Sequence, residues 1–244
     1  LGDPLVRAVP VIGLAFALLH AAQREGWKRA LIFLALVFGV SLLFESVGVA
    51  TGLVYGPYHY TDKLGPKFLG LVPYMIPVAW FMMSYPSFVI AERLVSPVGS
   101  VADGWRRLLA VAAVGGLVMT AWDMIMDPLM VGGGHWVWDT NGPYFGIPLR
   151  NFGGWWLTVF TSFALYLLIR GKRSAATAPA FDRLAVAAYA VTAAGAIASS
   201  LFNGADRLAL IGFFAMLPWP IMAWARLAAA PPPALPDAQP DGIM

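Results

Sequence analysis

Hydrophobic positions along the chain fall into seven apolar runs separated by short polar breaks. The runs cover roughly residues 4–22, 29–50, 68–92, 107–127, 154–170, 184–202 and 208–228. About 20 helical residues cross the hydrocarbon core of a bilayer, and these runs meet or approach that length. They predict an all-α, polytopic membrane bundle of about seven transmembrane helices. Pro10 predicts a kink in the first helix, and Pro73, Pro77 and Pro86 predict a bent third helix. Residues 1–228 read as one transmembrane domain, and 229–244 as a disordered, Pro-rich tail. The first run has neither a cationic leader nor a small-residue cleavage site, so it reads as a retained helix, although the chain opens on Leu1.

Composition agrees with the pattern. The chain is 59% hydrophobic and 12% charged, against about 25% charged residues in ordinary soluble domains. With seven crossings and the N-terminus outside, eleven of the sixteen Lys and Arg fall on the inner side, including Arg24, Arg93, Arg107 and Arg170. The positive-inside rule therefore predicts a cytoplasmic C-terminus. The expected location is the cell membrane of a bacterium or archaeon. The net charge of +3 sits in short loops without a basic, aromatic-laced patch, so no nucleic-acid partner is expected. Cysteine is absent, which excludes disulfides and thiolate chemistry.

Two polar breaks are longer than the rest, at about 50–68 and 128–153, and this topology puts them on one side. They resemble each other: Gly56-Pro57-Tyr58 in one matches Gly142-Pro143-Tyr144 in the other, with further Gly, Pro and Phe after each. Each follows a helix with acid near its end, Glu45 in the first and Asp123 with Asp127 in the second. A duplicated helix–loop–helix unit would explain this; chance likeness between two Gly/Pro-rich loops is the plain alternative.

Ionisable residues inside membrane helices are costly and point to function. Asp123 and Asp127 are four residues apart, about one helical turn, and share a face. Asp127 precedes Pro128 at the expected helix end, which also suits an interfacial role. Asp123 and Glu45 lie further in. Trp80 and Trp122 are deep enough to line a pocket, whereas Trp136, Trp138, Trp155, Trp156, Tyr58, Tyr60 and Tyr144 stand where an interfacial aromatic belt would form anyway. Asn151 reads as closing a turn. His59 and His135 lack a metal-binding helical spacing, and no metal is expected. A retinal Schiff base is excluded because residues 208–228 contain no Lys, and no arginine ladder or nucleotide-binding motif is present.

The run from Ala121 to Pro128 (AWDMIMDP), Gly134-His135-Trp136-Val137-Trp138, the segment from Gly142 to Pro148, Asn151-Phe152 and Gly154-Trp155 together resemble the CruF-type carotenoid biosynthesis family. Glu45-Ser46-Val47-Gly48, Thr51-Gly52 and the segment from Tyr55 to Tyr58 extend the likeness across about residues 40–160. These are membrane hydratases such as γ-carotene 1′,2′-hydratase and bisanhydrobacterioruberin hydratase. The resemblance implies cofactor-independent addition of water to the terminal isopropylidene double bond of a linear carotenoid.

That chemistry needs a proton donor, a water-orienting acceptor and aromatic faces beside a tertiary cation. Asp123 is read as donor, with Asp127 or Glu45 orienting water. Trp80 and Trp122 are read as lining the cation. Tyr55, Tyr58, His59, Trp136, Trp138, Tyr144, Asn151 and Trp155 complete the expected substrate contacts. The partners expected are the carotenoid, water and the bilayer, with a homo-oligomer or other pathway enzymes as protein partners. The same cation would also serve an end-group cyclase. Membrane carboxylates and broken helices equally suit a transporter or a carotenoid-binding scaffold.

Overall fold

A computed structural model describes residues 4–96, 104–171 and 179–229. The fold is a helical bundle: α1 (Pro4–Glu25), α2 (Trp27–Thr51), α3 (Met75–Val95), α4 (Trp105–Gly132), α5 (Leu149–Arg170), α6 (Pro179–Phe202), α7 (Asp206–Met216) and α8 (Pro218–Ala228). Among the described residues, six segments are long and apolar enough to cross a membrane: α2 to α6, and α7 with α8 taken together. Helices suit these runs because hydrocarbon offers no partner for an open backbone N–H or C=O. The tail expected from residue 229 lies, beyond Ala229, outside the described residues.

Several boundaries differ from the sequence reading. The last apolar run is interrupted at Leu217, where Pro218 and Pro220 remove two helical N–H donors. The third helix begins only at Met75; the residues before it form a hairpin of β2 (Lys67–Phe68) and β3 (Val72–Pro73). Pro73 therefore lies in a strand, and Pro86 lies inside α3. Helix α4 continues past Pro128 to Gly132, and α5 starts five residues early, at Leu149. These extensions place both Asp127 and Asn151 inside helices, Asn151 rather than in a turn.

Helix α3 is the central element, buried at every position from Trp80 to Arg93. Around its middle, Phe33, Phe88, Phe163 and Tyr166 pack ring on ring, with Phe33 and Tyr166 centroids 4.5 Å apart. Glycines bring α4 and α5 together: a Cβ at Gly116 would lie 2.7 Å from the Trp156 ring.

The two ends of the bundle are chemically distinct. At one, helix ends of α1, α3, α4, α5 and α6 meet in a charged cluster. Arg24 pairs with Asp182 at 2.7 Å and with Glu92 and Glu25 at 2.9 Å. Arg93 also bonds Asp182, and Arg107 and Arg170 reach Glu92. Arg24, Arg93 and Arg170, assigned by the sequence to the inner loops, are thus buried ion-pair partners. The opposite end carries the two long connections.

Candidate active site

The two long connections meet as a small antiparallel ladder. Strand β1 (Tyr58–Tyr60) pairs with β4 (Trp136–Trp138), with His59 opposite Val137 at the centre. Side chains alternate along a strand, so Tyr58 and Tyr60 point one way and His59 the other. The inward residues of each strand then bind the acid of the helix that precedes it. Tyr58 and Tyr60 donate to Glu45 Oε2, the latter at 2.8 Å. Trp136 and Trp138 donate to Asp127 Oδ1 at 2.7 and 3.4 Å.

A third donor in each case comes from the helix that follows. Trp80 of α3 donates to Glu45 Oε1 at 3.0 Å, and Asn151 of α5 donates to Asp127 Oδ2 at 2.9 Å. The units α2–β1–α3 and α4–β4–α5 therefore repeat one plan: a helical acid, two inward strand aromatics and one donor from the next helix. Trp80 and Trp155, from the two second helices, stack at 4.1 Å and 23° where the halves meet. The structural repeat is not the one the sequence likeness suggests: Gly56-Pro57-Tyr58 runs into β1, whereas Gly142-Pro143-Tyr144 follows β4, and the strand equivalent to β1 is Trp136–Trp138.

Asp123 breaks this repeat. One turn before Asp127, it has Ser41 in the corresponding place on α2. Its Oδ2 accepts from the Asn151 amide at 2.7 Å, and Oδ1 is buried without a hydrogen-bond partner. The Asp123 residue is 0% exposed, Asp127 1% and Glu45 3%. Buried polar atoms are nearly always satisfied, so an orphaned carboxyl oxygen is a feature to explain.

These groups line a cavity of about 690 Å³. Glu45, Asp123, Asp127 and Asn151 form its polar part; Trp80, Trp122, Trp136, Trp138 and Trp155 supply aromatic faces. The Trp122 ring stands edge-on to Trp155, with centroids 5.9 Å apart. Met75, Met82, Met126 and Met130 extend the wall. Burial, and then the nearby Glu45 carboxylate, holds the phenols of Tyr58 and Tyr60 well above the usual tyrosine range, so both remain donors. Tyr55 is raised by the same causes. Its ring lies between Gly48 and Gly154, where added Cβ atoms would approach it to 2.7 and 2.5 Å, and its hydroxyl meets Thr158 at 2.8 Å.

Most of the expected site residues converge here, and two do not line the cavity. His59 faces outward with a side chain 57% exposed, paired to Asp139 at 2.8 Å. Tyr144 supports α4 from behind: Pro128 lacks the N–H that would bond the Met124 carbonyl, and the Tyr144 hydroxyl donates to that carbonyl at 2.6 Å. Tyr60, which the sequence places only in the interfacial aromatic belt, is a site residue that binds Glu45. The alternation Tyr-His-Tyr, matched by Trp-Val-Trp, carried the signal.

Fold and site together define a multi-pass membrane protein whose buried carboxyls face an aromatic cavity at one end of the bundle. The sequence model for the family described as "Carotenoid biosynthesis protein" matches residues 6–218, and the chain belongs to that family. A bisanhydrobacterioruberin hydratase from Haloarcula japonica is 33% identical over 131 residues, 54% of this chain. That match spans 42% of the relative's own length. No solved structure gives a significant match.

Proposed function

We propose that the protein is a carotenoid hydratase, adding water to the terminal isopropylidene double bond of an acyclic carotenoid end. The observation that carries this reading is the unpartnered Asp123 Oδ1, buried beside indole faces in an otherwise apolar cavity. Glu45 and Asp127 each accept three hydrogen bonds; Asp123 accepts one. An oxygen with no donor on it is the one able to carry a proton toward a substrate.

In this scheme the Asp123 carboxyl protonates the less substituted alkene carbon. The electron pair of the double bond forms the new C–H bond, and the tertiary carbon becomes cationic. Trp122, Trp80 and Trp155 present π faces to that cation, and a desolvated cation–π contact contributes about 2 kcal/mol. Water held by Asp127 or Glu45 adds to the cation and loses a proton, giving a tertiary alcohol. One water is consumed and the proton is returned overall, so no redox or nucleotide cofactor enters the balance. The bisanhydrobacterioruberin hydratase relative supports addition of water rather than ring closure. The reading includes a cell-membrane location with the N-terminus outside and the site toward the outer face, in keeping with the distribution of Lys and Arg.

The test is expression in cells that accumulate lycopene or γ-carotene, with the pigments identified by mass. A gain of one water is the expected result. An isomer of unchanged mass would make the protein a cyclase. Unaltered pigment from several acyclic substrates would overturn both.

A further inference from the structure

We propose that the gap between α1 and α6 is a lateral, membrane-facing groove through which the linear hydrocarbon chain of the substrate reaches Asp123. This rests on the reading of the cavity as a carotenoid site and adds the path to it.

Helices α1 and α6 are joined at the charged end. The His20 ring stacks on Phe181 at 4.0 Å, its Nε2 lies 2.9 Å from the Phe181 carbonyl, and Arg24 pairs with Asp182. Toward the other end the cavity lies between them, bounded by Val9 and Pro10 on α1 and by Val191, Gly195 and Ser199 on α6. Its exposed lining residues all come from these two helices; Val9 is 52% and Val191 72% exposed. In a chain built of membrane-spanning helices that opening faces lipid rather than water.

The shape and lining suit a long, thin, apolar occupant. From Ser199 to Val191 the groove follows about 12 Å of helix axis. The α6 lip is made of short side chains, and a Cβ added at Gly195 would meet no heavy atom within 4 Å. The thioethers of Met82, Met126 and Met130 are flexible enough to fit an extended polyene. The same cavity contains the unpartnered Asp123 oxygen, so a chain drawn in from the bilayer presents its end to the acid.

Open space at Gly195 makes the test clean, because a large residue there fills the groove without displacing the fold. Wild-type protein, Gly195→Phe, Val191→Trp and, as a control on another exposed face of α6, Leu201→Phe are purified from cells accumulating lycopene. Co-purified pigment, water-added product and thermal melting are measured for each. The expected result is an at least tenfold loss of both pigment and product in Gly195→Phe and Val191→Trp with unchanged melting, and no loss in Leu201→Phe. Full pigment retention and turnover in both blocked variants would overturn the proposal, and is what a groove filled only by membrane lipid predicts. Pigment that depends on Gly195 but is never hydrated, even by wild type, would sustain the groove and sink the hydratase reading.

Discussion

The Asn151 amide donates to Asp123 Oδ2 at 2.7 Å across the α4–α5 interface. Its second N–H reaches Asp127 Oδ2 at 2.9 Å, so one side chain fixes both carboxyls. Only the NH2 edge of an amide can serve two acceptors in this way. Asn151→Asp keeps the shape, removes both donors and adds a third carboxyl. A hydrogen bond to a charged acceptor contributes about 1.5–3 kcal/mol, and about 1.4 kcal/mol is tenfold in rate. A 10- to 100-fold fall in the initial rate of pigment conversion is therefore expected, measured in membranes with matched protein content. An unchanged rate would remove Asn151 from the positioning of the acids.

Asp123 and Asp127 should respond differently to the same substitution. Asp123→Asn removes the proposed proton donor but few hydrogen bonds, since Oδ1 has no partner. Loss of a general acid costs about 10²- to 10⁴-fold in rate, with little change in stability expected. Asp127→Asn instead places an NH2 group among indole and amide donors and leaves at least one buried donor unpaired. That costs about 1–3 kcal/mol of stability. Activity and melting temperature measured on both variants separate the roles. Equal melting losses with equal residual activity would contradict the division.

Much of this arrangement was legible in the chain. The apolar runs give the helices because hydrocarbon leaves the backbone no other partner, and an acid-bearing helix before each long loop points to a doubled unit, although the Gly-Pro-Tyr match itself falls out of register with that unit. Pro128 normally ends a helix, which by sequence leaves Asp127 at a helix end, where an interfacial role suits it as well as a catalytic one. The Tyr144 hydroxyl lets α4 continue by bonding the freed Met124 carbonyl, a contact made across twenty residues that no local pattern reveals. The charged end was hidden for a similar reason. Arg24, Glu92 and Asp182 are far apart in sequence, and local reading assigns each to water. His59 was drawn into the site by its neighbours, yet strand alternation turns it outward.

The tyrosines of the first long connection give a prediction at high pH. Burial, followed by the Glu45 charge, raises the Tyr58 and Tyr60 phenols well above the ordinary value of 10.0 in the folded protein. Between that value and the folded one, the native state binds more protons than the unfolded state. Stability from these groups is therefore fully present below about pH 10 and falls as pH rises beyond it. In a spectrophotometric titration both phenols should stay un-ionised just above pH 10, and their absorbance should appear only as the protein unfolds. Tyr58→Phe together with Tyr60→Phe should reduce the late-ionising fraction by two tyrosines. An ordinary titration of both in folded protein would contradict the buried Glu45 network.

At the opposite end, Asp182 is 0% exposed and receives Arg24 and Arg93, each itself buried. Asp182→Asn keeps the volume and removes the charge that two guanidinium groups share. Breaking a buried ion pair by removing one partner costs about 3–5 kcal/mol, because the remaining charge stays out of water. Asp182 joins α6 to α1 and α3, so the loss should loosen this end while leaving the carboxyl cavity chemically complete. The expected result is a large drop in detergent-solubilised melting temperature, with turnover at low temperature close to wild type. Replacing Asp182 by Glu should recover part of the loss, because a longer carboxylate still reaches one guanidinium. A variant that melts like wild type would mean the cluster is solvated; one that folds normally yet loses turnover would mean that the charged end acts on the reaction itself.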